Sequence, residues 1–143
     1  MRVRPRGTPV GLKLAMTAKT VGAAFNAALA AEGGSAPTWL ILNALRHGRW
    51  TAQRDLARGL GIESPTLTRH LDNRERNGLV VRQRSDGDRR AVRVELTDAG
   101  EEAHERMLAA VIAFNRRLRA GVGRDELQQL DALLDRLAQN ASR

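Results

Sequence analysis

The hydrophobic period of this chain changes at Gly78. Before it, apolar side chains recur every three to four positions. From Leu79 they alternate: LVVRQR (79–84) and AVRVEL (91–96) flank SDGDRR, and Val92, Val94 and Leu96 are set against Arg93 and Glu95. The first spacing suits one face of a helix and the second one face of a strand, so helices must give way here to a two-stranded hairpin.

The helical part divides at its breakers. Leu12, Met16, Val21, Phe25 and Leu29 mark one amphipathic helix over 9–31, stopped by Gly33 and Gly34. Ser35 offers a cap and Pro37 a first-turn proline for a helix over 36–47, apolar enough to be largely buried. Thr51 is placed to cap a third helix, TAQRDLARGLG, and Ser64 with Pro65 to start a fourth that Gly78 ends. After the hairpin, Thr97 caps a helix with Met107, Val111, Phe114 and Leu118 on one face. Beyond Gly121-Val122-Gly123, Leu127, Leu130, Leu134 and Leu137 mark a last one.

Helices three and four have the spacing of a helix-turn-helix. Ala57 sits where the helices cross and only a small side chain fits, Gly61 supplies a positive-φ turn, and Leu67 packs the second helix onto the first. Followed by an arginine-rich ribbon, this motif makes a winged helix. The fold class expected is mainly α with a small β-hairpin wing, the winged helix-turn-helix core being flanked by N- and C-terminal helices.

Charge points to the partner. Of the formal +8, residues 46–93 carry twelve basic and six acidic groups and residues 1–19 five basic and none acidic, while residues 94–143 carry seven basic and nine acidic. A basic middle block suits a polyanion. Twenty-two of the 24 basic residues are Arg, whose fork matches phosphate and guanine, although high genomic GC content is an equal cause of that bias. The major groove admits a helix, and the first turns of helix four present Ser64, Thr66, Thr68 and Arg69 opposite Leu67 and Leu71. Arg82 and Arg84 on the first wing strand, and Arg89 and Arg90 at the tip, are candidates for phosphate or minor-groove contact. Thr51, Gln53 and Asn73 complete the candidate DNA-binding set. Arg2, Arg4 and Arg6 form either a minor-groove arm or a disordered tail.

The stretch TAQRDLARGLGIESPTLTRHLDNRERNGLVVRQRSDGDRRAVRVELTDAG resembles the winged-helix core of the MarR (multiple antibiotic resistance regulator) family. The match is carried by SPTLTR, NGLVVR, DRR and LTDAG. The resemblance implies a single domain over 1–143, with a DNA-binding lobe at 35–97 and dimerisation helices at 1–34 and 98–143. It further implies a homodimer that represses transcription and releases DNA on binding a small aromatic or phenolic effector. Ser64, Pro65, Thr66, Thr68 and Arg69 match the family's reading positions, and Asp88 and Arg90 a wing pair in which the carboxylate aims the arginine at the minor groove. Two-fold symmetry would set the reading helices one DNA turn, about 34 to 36 Å, apart on a near-palindromic site.

Two features depart from that pattern. Helix four keeps Leu67 and Leu71 but gives its other inward positions to His70 and Arg74. Arg74 is expected to lay its stem on the core edge with its head outward, or paired with Asp72 or Glu75. His70 is expected either to be a hydrogen-bonded core histidine or to couple helix position to pH or ligand. The effector pocket is placed between the first helices and the wing lobe, with Met16, Phe25, Trp39, His47 and His70 as candidate lining, each of which can equally be plain core.

Other classes fare worse. Cys is absent, which excludes disulfides and thiolate metal sites, and His47, His70 and His104 lack metal-ligand spacing. No glycine loop cradles a phosphate, and no cofactor or enzyme activity is expected. MRVRPRG with the alanine-rich run after it is interrupted by Lys13, Lys19 and Asn26, so the chain is read as cytoplasmic rather than exported or membrane-bound. A winged helix serving RNA or protein, or one binding DNA constitutively, remains the alternative.

Overall fold

The computed structural model describes residues 7–48, 50–85 and 87–143, and for Ser85, Asp88, Arg89 and Arg90 the backbone alone. Arg2, Arg4 and Arg6 lie outside the described residues. In order the elements are α1 (Val10–Ala30), α2 (Ala36–Arg46), α3 (Gln53–Leu60), α4 (Ser64–Arg76), β1 (Val80–Ser85), β2 (Asp88–Leu96), α5 (Asp98–Leu118) and α6 (Arg124–Ala141). The chain is mainly α with one antiparallel hairpin, as the change of period at Gly78 predicts.

Contacts divide the chain into Met1–Val111 and Ile112–Arg143. In the first unit the core is aliphatic. Leu29 of α1, Ile41 and Leu42 of α2, Leu56 of α3, Leu67 and Leu71 of α4, and Val80 and Val94 of the hairpin are fully buried. Trp39, Ala103 and Met107 join them. Burying side chains of this size contributes roughly 1.5–3 kcal/mol each, which makes these positions the main anchor of the lobe. Ala57 is buried at the α3 crossing, and Gly61 has φ +64. Those are the two requirements that the spacing imposes.

Only the end of α1 joins this core. Val10, Leu12, Leu14 and Met16 are exposed, so the apolar face read over 9–31 is covered from Val21 onward and open before it. Asn26, which interrupts that face in the sequence, accepts the N–H of Ala36 at 3.0 Å and so helps cap α2, with Ser35 accepting from Thr38 N–H at 3.3 Å. In the second unit, α5 ends and Gly121 (φ +79) turns the chain into α6, where Glu126 accepts the N–H of Gly123 at 3.1 Å. Leu130, Leu133 and Leu134 of α6 are exposed, together with Ile112 and Leu118 of α5.

Two expected caps are displaced. The residue before α3 is Ala52, not Thr51, and Ala52 bridges Arg93 of β2 while the Thr51 carbonyl accepts Val94 N–H at 2.8 Å. Thr51 is thus drawn into the sheet, where its backbone satisfies a wing strand. At α4 the cap position is Glu63, and Ser64 is already the first helical residue, since Leu67 N–H bonds to Glu63 carbonyl at 2.9 Å. Ser64 is exposed, and among the described residues its hydroxyl makes no capping bond. Thr97 does cap α5, accepting Gly100 N–H at 3.0 Å and donating to Gly78 carbonyl.

Candidate nucleic-acid interface

The surface that could meet DNA is assembled from α3, α4 and the hairpin. Its centre is the start of α4, anchored from below by Leu67 and Leu71 and exposed above at Ser64, Pro65 and Arg69. Thr66 and Thr68 are half-buried. Gln53 of α3 donates to the Thr68 hydroxyl at 3.0 Å, and that hydroxyl donates to Ser64 carbonyl at 2.9 Å. Two candidate contacts are therefore spent partly on each other, fixing the start of α4 against α3. A cleft of about 350 Å³ opens beside them, bounded by Gln53, Ser64 and Leu67 on the helices and by Ala91 and Val92 on the wing.

The hairpin pairs Val80 with Leu96 through Arg84 with Val92, after which the register jumps so that Ser85 meets Asp88. Residues 89–91 form a bulge in β2, so DRR lies in an extended strand rather than in a loop between strands as the alternation suggested. The side chains of Asp88, Arg89 and Arg90, including the Asp88–Arg90 pairing, lie outside the described ones. Arg84 is exposed.

Arg82, a candidate for phosphate or minor-groove contact, is engaged by two acids of α4. Its Nη2 meets Asp72 Oδ1, its Nε donates to Glu75 Oε2 at 3.3 Å, and its backbone N–H donates to the same oxygen at 3.0 Å. The guanidinium faces α4, not open solvent, with the side chain 20% exposed. The hydrogen bond from Arg82 is the main reason that Glu75 sits below the usual carboxylate range, and Glu75 in turn raises Arg82.

Arg74 consequently has neither acid. Its Nη1 donates to Asn73 Oδ1 at 2.8 Å, its Nε is buried without a hydrogen bond among the described residues, and burial lowers its pKa. Asn73, a candidate DNA contact, also accepts from Asn77 at 3.0 Å. His70 is half-buried on α4.

The buried histidine is His104, which sequence reasoning considered only as a metal ligand. It is 4% exposed on α5, its Nε2 is 3.0 Å from Asn43 Oδ1, and its ring stacks on Trp39. Desolvation chiefly pushes it below the usual histidine range; the charges of Arg46 and His47 act the same way and Glu105 opposes them. The signal was present, because Gly100, Ala103, His104, Met107 and Val111 fall on one helical stripe. Of the candidate effector residues, Trp39 and His47 meet around His104, and Phe25 packs on the core edge. Met16 instead lines a shallow cleft on exposed α1 with Lys13 and Thr20.

Among the described residues, no group of His, Cys, Asp and Glu is arranged to hold a metal, and no helix is long and apolar enough to cross a membrane.

Known proteins share this architecture. The MarR family description matches residues 33–91, from the turn before α2 into the wing. The transcriptional repressor CouR, solved bound to a 23-mer DNA duplex, is 32% identical with TM-score 0.78, over 93% of this chain and 92% of that one. A mutant MarR of E. coli complexed with operator DNA is 25% identical with TM-score 0.82, over 90% and 93%. NadR in complex with 4-hydroxyphenylacetate is 27% identical with TM-score 0.71, over 96% and 98%. A reading helix held between α3 and an arginine-bearing wing, together with these matches along nearly the whole chain, places this protein in the MarR family: it is a winged-helix, DNA-binding transcriptional regulator and not an enzyme.

Proposed function

We propose that the chain acts as a homodimeric repressor that reads a near-palindromic operator and leaves it when a small aromatic effector binds. The observation that carries this reading is the start of α4. Arg69 and Ser64 stand exposed on a helix whose underside is locked by two fully buried leucines, a rigid edge of the size a major groove admits. Arg69 is assigned to a guanine, Ser64, Pro65, Thr66 and Thr68 to the groove floor and flanking phosphates, and Arg84, Arg89 and Arg90 to the backbone or minor groove beside it. Thr51, Gln53 and Asn73 flank this edge as supporting contacts.

Dimer formation is supported by the open apolar face of α1, with Val10 66% and Met16 59% exposed, and by the exposed leucines of α6. The lobe over 35–97 is assigned to DNA, and the helices on either side of it to the partner copy. Repression follows the reading of CouR, and an effector that of NadR, a relative seen with a phenolic acid. Its site is assigned to the region of Phe25, Trp39 and His47, with His70 as the link to α4; Met16, in its own cleft on α1, is left to the dimer face.

The test is a titration of fluorescent duplexes, one carrying the palindrome nearest the protein's own promoter and one scrambled, at several salt concentrations. Preference for the palindrome by at least about a thousandfold is expected, with two chains per duplex by sedimentation and release on adding 4-hydroxyphenylacetate or a related phenol. Equal grip on both duplexes would end the proposal. Preference without release by any phenol would leave a constitutive binder.

A further inference from the structure

We propose that Arg82 makes no contact with DNA and is instead a positioning residue, a strut between the reading helix and the wing that sets the spacing at which the two meet a duplex. The inference rests on the reading of α4 and the wing as the DNA-contacting parts.

Three observations point to it. Asp72 and Glu75 are one helical turn apart on the same side of α4, and Arg82 reaches both: Nη2 to Asp72, Nε and Nη2 to the two oxygens of Glu75. The Arg82 backbone is held as well, through its N–H to Glu75 at 3.0 Å, so strand and side chain are fixed to one carboxylate. In the ladder Arg82 stands opposite Val94, whose N–H bonds to Thr51 carbonyl ahead of α3. The level of the wing at which Arg82 grips α4 is thus the level at which the wing is tied to the α3 lead-in.

Charge decides between this role and a phosphate contact. The cluster holds one cation and two carboxylates, so the charge of Arg82 is already offset before a phosphate arrives. A backbone contact by Arg82 would require withdrawing the guanidinium from both acids. Arg84, two residues on and exposed, forms no ion pair among the described residues and is the better phosphate ligand.

The two roles predict opposite signs for one experiment. Asp72→Asn combined with Glu75→Gln keeps the shapes, removes the strut's anions and raises the net charge by two. Both carboxylates are partly exposed, 49% and 42%, so the fold is expected to survive, with a melting curve close to wild type. If Arg82 positions the wing, operator affinity falls by about tenfold or more while affinity for scrambled duplex holds or rises. If Arg82 is a phosphate ligand, freeing it strengthens binding to both duplexes, and that outcome overturns the proposal.

Arg82→Lys separates the roles a second way. Lysine retains the charge for a phosphate but not the fork that spans two acids, so a strut loses operator preference and a phosphate ligand keeps it. A wild-type chain without duplex preference would sink the DNA reading and not this one. The strut is then judged by amide hydrogen exchange in β1 and β2, which Arg82→Lys should accelerate; unchanged protection there would refute it.

Discussion

The imidazole of His104 lies flat against the indole of Trp39, centroids 5.0 Å apart and planes 11° from parallel, while its Nε2 reaches Asn43 across the interface between α5 and α2. The fold therefore favours the neutral ring. A base whose pKa is depressed by folding is protonated first in the unfolded chain, so its contribution to stability is present above about pH 6.5, the unfolded value, and is lost as pH falls below it. Urea midpoints taken between pH 8 and 5.5 with tryptophan emission as probe should drop toward acid, and His104→Gln should flatten that slope. An identical slope in the variant would show that the acid sensitivity arises elsewhere.

Arg69→Ala tests the reading edge without touching the core. The side chain is exposed, so the melting temperature should stay within the effect of about ±0.5 kcal/mol typical of surface changes. Operator affinity should fall by about 1–3 kcal/mol and tolerance at one base position should widen, as expected for loss of a bidentate guanine contact. A uniform loss on all sequences would demote Arg69 to a phosphate ligand.

Leu67→Ala is the complementary change. This side chain is fully buried where α4 crosses α3, and its truncation should cost about 2–5 kcal/mol in urea unfolding. DNA binding should fall with the folded fraction and recover where the protein is kept folded.

Gly78, just before the hairpin, and Gly100, in the first turn of α5 after it, should respond unequally to alanine. At Gly100 an added Cβ would lie 2.1 Å from the carbonyl oxygen of Leu79, an atom that also accepts Thr97 N–H at 3.1 Å, so backbone must shift and the hydrogen bond that brackets the hairpin must loosen. A loss of about 3 kcal/mol or more is expected for that overpacking. Gly78 has open space but φ +76, so Gly78→Ala should cost only about 1 kcal/mol of conformational strain. Equal losses in thermal melts would contradict the steric account.

The dimerisation proposed for the open face of α1 would make stability depend on protein concentration. Melting temperature should rise across a hundredfold dilution series read from low to high, and Leu12→Glu should abolish that rise and give a monomer by sedimentation. An unchanged dimer in Leu12→Glu would place the interface elsewhere.

Much of this fold was legible because it is local. The period change at Gly78, the positive φ of Gly61 and the capping by Thr97 each depend on a few neighbouring residues, and the helix boundaries fall within one or two residues of the spacing, while β2 starts three residues early, at Asp88. What escaped depends on partners distant in sequence. Thr51 reads as a cap until the carbonyl it turns toward Val94 is known, and the spacing of the wing does not show that Arg82 reaches Asp72 and Glu75 on α4. His104 lay on the apolar stripe of α5, but nothing nearby announced that Asn43, 61 residues earlier, would satisfy it. The oddity of α4 resolves in the same way: both candidate acids of Arg74 pair with Arg82, and Arg74 donates to Asn73.

The stitches at the base of the hairpin, Thr51 to Val94, Thr97 to Gly78 and Arg82 to α4, all precede Arg84 on one strand and follow Val92 on the other. Among the described residues none of these ties is anchored between Arg84 and Val92, so a substitution in that outer part of the wing should leave the mounting beneath it in place.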